Sequence, residues 1–132
     1  MSLVADNISL HLAGFDLLRN ISLEVETGKV TAIVGPNGAG KSSLLKVLTG
    51  EMAATKGQVY LNNRLLQHWP LLDKAQLLAV LPQHTMLNFP FTADEVVGLG
   101  RIPHNTGLSK DREIITEALD LVDASYLQKR LY

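Results

Sequence analysis

Residues Gly35 to Ser43 read Gly-Pro-Asn-Gly-Ala-Gly-Lys-Ser-Ser, and this stretch limits the fold more than any other part of the chain. It satisfies G-x-x-x-x-G-K-[ST], with Gly35, Gly40, Lys41 and Ser42 on the fixed positions. The pattern has physical meaning only where a strand runs into it and a helix runs out. Val30-Thr-Ala-Ile-Val34 is apolar and β-branched, which predicts a short buried strand. From Ser42 to Thr49 the residues Leu44, Leu45 and Leu48 fall on one helical face, and Gly50 predicts the helix C-cap.

A loop between a strand end and a helix start turns successive backbone N–H groups inward, where the helix dipole is positive, and so forms a nest for an anion. Gly38 and Gly40 allow torsions and a close approach that a Cβ would obstruct, and Asn37-Gly38 is a tight-turn dipeptide. Phosphates are the expected guests, cradled by Gly35, Pro36, Asn37, Gly38, Ala39, Gly40, Lys41, Ser42 and Ser43. Lys41 is expected to reach the β- and γ-phosphates as a point charge, and the Ser42 hydroxyl to ligate the accompanying Mg2+. Ser43 would lie near the α-phosphate. The competing reading is a glycine-rich turn that binds nothing.

At 132 residues and 46% hydrophobic content the chain can build one globular core and is too short for two ordinary domains. A net charge of -1 argues against a nucleic-acid footprint. Without cysteine there is neither a disulfide framework nor a thiolate metal site. Charge arrives at Asp6, too early for a secretory leader, and no apolar run approaches the roughly 18 to 20 residues that span a bilayer. The expectation is a chain soluble by itself, with no direct lipid insertion, that reaches a membrane only through a partner.

Elsewhere, alternation predicts strands at Leu3 to Leu12 and Leu17 to Glu26, joined to the loop strand by the turn Thr27-Gly28-Lys29. Asn62-Asn63 predicts a hairpin turn between Gly57–Leu61 and Arg64–Leu66, and Trp69-Pro70 opens a short helix through Ala75. Leu77 to Leu81 reads as a second buried strand stopped by Pro82, with Gln83 where the chain leaves the sheet. Thr92 and Glu95 form a capping box opening a helix to Arg101. Ser109 is expected to cap a further helix, with a core stripe of Ile114, Ile115, Ala118, Leu119 and Val122.

Gly28, the wording of Gly35 to Ser42, Gly57-Gln-Val-Tyr-Leu61 and Leu81-Pro-Gln83 together resemble the ATP-binding subunits of ABC transporters, over essentially the whole chain. Leu81 to His84, Phe89 to Val97 and Gly100 to His104 resemble most the subunits serving importers of haemin, ferric siderophores and cobalamin, with the haemin branch nearest. The resemblance implies an α/β fold of P-loop NTPase type, in its N-terminal portion: an ATP-binding core with an antiparallel β subdomain over about residues 1–84, and part of the helical subdomain over about 85–132. It assigns Gln83 a second Mg2+ contact and a bond to the attacking water, a role that suits a neutral amide able to donate and accept.

It further implies a homodimer enclosing ATP, and two permease subunits met through about residues 85–104, with Phe89 and Phe91 as candidate contacts. A substrate-binding protein would be an indirect partner, and the location peripheral on the inner face of the cell membrane. The aromatic residue expected to stack on adenine has no Tyr or Trp in place; Phe15 is the candidate. Asp94-Glu95 opens a helix and does not end an apolar strand, so it is not the family's magnesium-binding Asp-Glu pair. The signature Leu-Ser-Gly-Gly run and the switch histidine are absent, and His11, His68, His84 and His104 read as solvated or capping residues rather than haem ligands. The chain therefore reads as the N-terminal half of an ATPase, expected to bind ATP weakly and not to hydrolyse it. The alternative is a soluble ABC ATPase acting in DNA repair or translation.

Overall fold

The computed structural model describes residues 2–83 and 90–131, which form two compact units, Met1–Leu78 and Ala79–Tyr132. In the first unit a four-stranded antiparallel sheet runs in the order β2-β1-β3-β4, with β1 at Leu3–Leu12, β2 at Phe15–Val25, β3 at Lys56–Leu61 and β4 at Arg64–Leu65. Helix α1, Lys41–Thr49, lays Leu44, Val47 and Leu48 on it, and these join Leu3, Ala5, Ile8, Leu10, Leu18, Val59, Leu61 and Leu66 in one core. A 3-10 turn at Leu66–His68 and helix α2, Leu71–Leu77, follow.

The buried positions of β1 change phase, Leu3 and Ala5 before Asn7, then Ile8 and Leu10 after it. The register explains this. Ala5 faces Leu23 while Ile8 faces Ile21, so β1 carries one extra residue, and Asn7 takes φ 49 in the left-handed region. A compensating extra residue follows on β2, where Asn20 adopts φ 48. Asparagine tolerates such torsions because its short amide bonds locally. Here the Asn7 amide donates to Asp6 Oδ1 at 2.8 Å, and the Asn7 N–H donates to Ser22 Oγ at 2.9 Å. On the facing strand, a Cβ at Gly57 would lie 2.4 Å from the Asn7 carbonyl oxygen, so only glycine fits beside the bulge.

The Asn62-Asn63 turn forms as expected, with φ 49 and 60. Gly50 caps α1 at φ 77, its N–H donating to the Val47 carbonyl at 3.1 Å. Two strand expectations fail. Val30–Val34 forms no ladder, and Val30 and Val34 are 99% and 86% exposed. Leu77 ends α2 instead of opening a strand, and Leu81 is 91% exposed. Apolar β-branched residues become a strand only when another strand satisfies their backbone groups, and neither segment has such a partner among the described residues.

In the second unit, α3 spans Ala93–Leu99, two residues shorter than expected, and α4 spans Leu108–Asp120. Gly107, not Ser109, is the N-cap of α4, at φ 83 with no side-chain cap bond. The stripe of α4 turns inward through Leu119, but Val122 lies past the helix end and is 70% exposed. Arg101 donates to Asp111 Oδ1 at 2.8 Å and to Thr106 Oγ1 at 2.7 Å, bracing the end of α3 against the start of α4. No helix among the described residues is long and apolar enough to cross a membrane.

Candidate phosphate-binding site

The loop between Val34 and α1 is built as a glycine-hinged turn. Gly38 and Gly40 sit at φ 80 and 87, and the Ala39 N–H donates to the Pro36 carbonyl at 3.3 Å. A Cβ at Gly40 would stand 2.6 Å from the Leu17 carbonyl oxygen and 3.1 Å from Leu18 Cδ2, so this glycine is required by close approach as well as by torsion. At Gly38 nothing lies within 4 Å, and only torsion selects glycine there. Gly35, Pro36, Asn37, Gly38 and Ala39 are exposed, as is Ser42, while Gly40, Lys41 and Ser43 are half-buried.

Gly40 is the N-cap of α1, and the first turn holds no side-chain cap and no acidic residue. The first backbone N–H groups of a helix lack carbonyl partners within it, and their dipole end is positive. At α1 neither is answered by a side chain, which leaves the electrostatics of an anion site. Lys41 adds a positive charge, and its ammonium donates to the Gly35 carbonyl at 2.8 Å and the Pro36 carbonyl at 2.7 Å, holding the cation across the loop it would serve. A phosphate oxygen is a stronger acceptor than a peptide carbonyl and can exchange with these contacts.

The hairpin between β1 and β2 supports the loop and carries Phe15. Its turn, Ala13-Gly14, has φ 52 and 84, the pair of positive torsions that matches strand twist. Leu10 faces Leu18 and His11 faces Asp16, which makes Leu17 a further extra residue on β2. That extra residue reverses the alternation. Phe15, opposite Leu12, falls on the Leu10 and Leu18 side of the ribbon, the side covered by α1, and is 71% exposed. The His11–Asp16 pair is sent to the other side, with Nδ1 to Oδ1 at 2.7 Å. The hydrogen bond from His11, ahead of the Arg19 charge, holds the Asp16 carboxyl below its ordinary range. The Leu17 bulge and the His11–Asp16 pair escaped the sequence reading; the one signal for them was polar pairing across a short hairpin.

Gln83 is exposed in a bend after Pro82 and belongs to the second unit. Phe91 is half-buried, while Phe89 and the 85–89 part of the expected permease contact lie outside the described residues.

Residues 18–132 match the family model described as ABC transporter. The hemin import ATP-binding protein of Pseudomonas fluorescens is 48% identical over 127 residues, covering 96% of this chain and 50% of its own length. Its namesake in Gloeobacter violaceus is 46% identical, over 98% of this chain and 48% of its own. The chain therefore spans about half the length of the curated relatives it matches. A solved ATP-binding subunit of an ABC transporter superposes with a TM-score of 0.84 at 21% identity, over 99% of this chain and 54% of that one, a likeness of fold alone. By the family match and the identity to these relatives, the chain belongs to the ABC transporter ATP-binding family.

Proposed function

We propose that this chain is the ATP-binding part of an importer's ATPase subunit, and that Gly35 to Ser43 hold the phosphates of ATP. The observation that carries the reading is the start of α1: a glycine cap, no acidic residue in the first turn, and Lys41 poised across the loop. Those residues fit an Mg2+–triphosphate group. The backbone N–H groups and Lys41 would take its negative charge, and the exposed Ser42 hydroxyl offers the metal a hard oxygen. Gln83 is proposed as the second metal contact and as the residue that orients the attacking water. Phe15 is proposed as the adenine platform, supported by the bulge that turns it to the α1 side. When bound, Mg2+ neutralises charge developing on the phosphates.

Phosphoryl transfer also requires an oriented water and charge neutralisation opposite the γ-phosphate. These 132 residues supply only part of that, so the chain alone is expected to bind ATP weakly and not to turn it over. The complete protein is proposed to act as a homodimer on two permease subunits, peripheral to the inner face of the membrane, with about residues 85–104 as the permease-facing strip and a substrate-binding protein as an indirect partner. Haemin is the proposed cargo, with other iron chelates or cobalamin behind it, because relatives named for hemin import align over nearly the whole chain. Calorimetric titration of Mg–ATP into the purified chain tests the core of the proposal. Saturable binding that falls at least about tenfold in Lys41→Ala is expected; binding indifferent to that change would overturn it.

A further inference from the structure

At the opposite end of α1 from the phosphate loop, the first unit holds a cavity of about 250 Å3 between the helix C-terminus, β3, β4 and α2. Val47, Val59 and Leu66, all buried, supply an apolar side of its wall, and Lys74 with two carboxamides, Gln58 and Gln67, makes much of the rest polar. Lys74 is the unusual member. Every other residue of α2 is exposed, Leu71 to 77% and Leu72 to 58%, and the one side chain this helix turns inward is the lysine. Among the described residues its ammonium donates to the Thr49 carbonyl over a long 3.5 Å. An ammonium carries three donors, so one that stands on the lining can also donate to a guest in the cavity. The place is kept open: a Cβ on Gly50 would come within 3.2 Å of both Lys74 Nζ and Leu66 Cδ2.

We propose that this cavity binds a small monocarboxylate with an apolar body. The carboxylate would accept from Lys74 Nζ, and the hydrocarbon part would lie against Val47, Val59 and Leu66. The volume is below that of pockets for drug-sized molecules, so the ligand is a compact one, and its few atoms limit affinity to about the millimolar range. The negative end of the α1 dipole disfavours an anion there, and Lys74 offsets it, which makes the lysine the feature that selects charge.

The test is a methyl NMR titration of the 132-residue chain with benzoate and with benzamide, its neutral isostere. Saturable benzoate shifts at Val47, Val59 and Leu66 are expected, with benzamide about tenfold weaker. Lys74→Met should bring benzoate down to the benzamide level, and Ala54→Leu, which fills the cavity, should abolish both with an unchanged circular dichroism spectrum. Equal binding of the two probes, or no saturation at those methyls in tens of millimolar benzoate, would overturn the proposal. If either variant fails to fold, contacts between benzoate ring protons and the Leu66 methyls in the unaltered chain decide it: their presence supports the site and their absence refutes it.

Discussion

Helices α1 and α3 begin in opposite ways. At α3 several devices that satisfy a helix start act together. The Glu95 carboxylate accepts from the Thr92 N–H at 2.7 Å and from its hydroxyl at 2.8 Å, and Asp94 adds charge in the first turn. The Ala93 N–H donates to the Arg130 carbonyl at 3.0 Å, the Asp94 N–H to the Gln128 carbonyl at 3.1 Å, and Lys129 pairs with Asp94 at 2.6 Å. At α1 a glycine stands where α3 has threonine, and Ser43 stands where α3 has Glu95. The chain can complete a helix start with its own groups, and at α1 it leaves the positive end open. An open start costs stability unless a ligand completes it, and that contrast is the physical content of the phosphate-loop reading.

Putting a Cβ at Gly40 should have the largest effect. Gly40→Ala meets the Leu17 carbonyl at 2.6 Å in a left-handed torsion, and about 1–3 kcal/mol of backbone strain alone is expected, with loss of Mg–ATP binding, read by denaturant melts and titration. Lys41→Ala should instead leave the melt nearly unchanged while weakening nucleotide binding at least about tenfold, which separates the charge from the scaffold. At the closed start, Thr92→Ala should cost about 0.5–2 kcal/mol and leave nucleotide binding alone. Ser43→Glu copies the acidic residue of α3 onto α1. A stability gain of about 0.3–1 kcal/mol at low salt is expected, with weaker nucleotide binding because the positive end is then occupied.

The smallest effect is acid sensitivity. Glu95 is held below its ordinary 4.5, first by the Thr92 N–H and then by the Thr92 hydroxyl. Asp94 is held below 3.8, first by Lys129 and then by Thr92. A carboxyl lowered on folding stabilises above its unfolded value and loses that contribution as pH falls through its folded one. Hydrogen exchange should therefore show the first turn of α3 loosening on acidification below about pH 4.5, while the first turn of α1, which has no carboxylate, stays level. Equal loosening at both starts would remove the contrast.

Much of this was legible locally. The glycines of the loop, the Thr92–Glu95 box and the Asn62-Asn63 turn each depend on neighbours a few residues away, and each formed as expected, whereas the strand alternation formed only between bulges. What failed depends on distant partners. Val30–Val34 and Leu77–Leu81 have strand composition, but a strand exists only as part of a ladder. The start of α4 shows the same limit on a smaller scale: Ser109 has good cap chemistry, yet Gly107 supplies the torsion that turns the chain into the helix.

The sequence by itself determined that a glycine-hinged loop carrying a lysine would open α1, because torsional freedom, a helix start and a lysine charge are all encoded within nine consecutive residues. Only the tertiary structure decided why Gly40 cannot be replaced, since the obstacle is the Leu17 carbonyl on β2, and which way Phe15 points, since one extra residue at Leu17 reverses the alternation of the hairpin. Alternation follows from the chain, but the face it presents is fixed by register, and register is a property of two strands together.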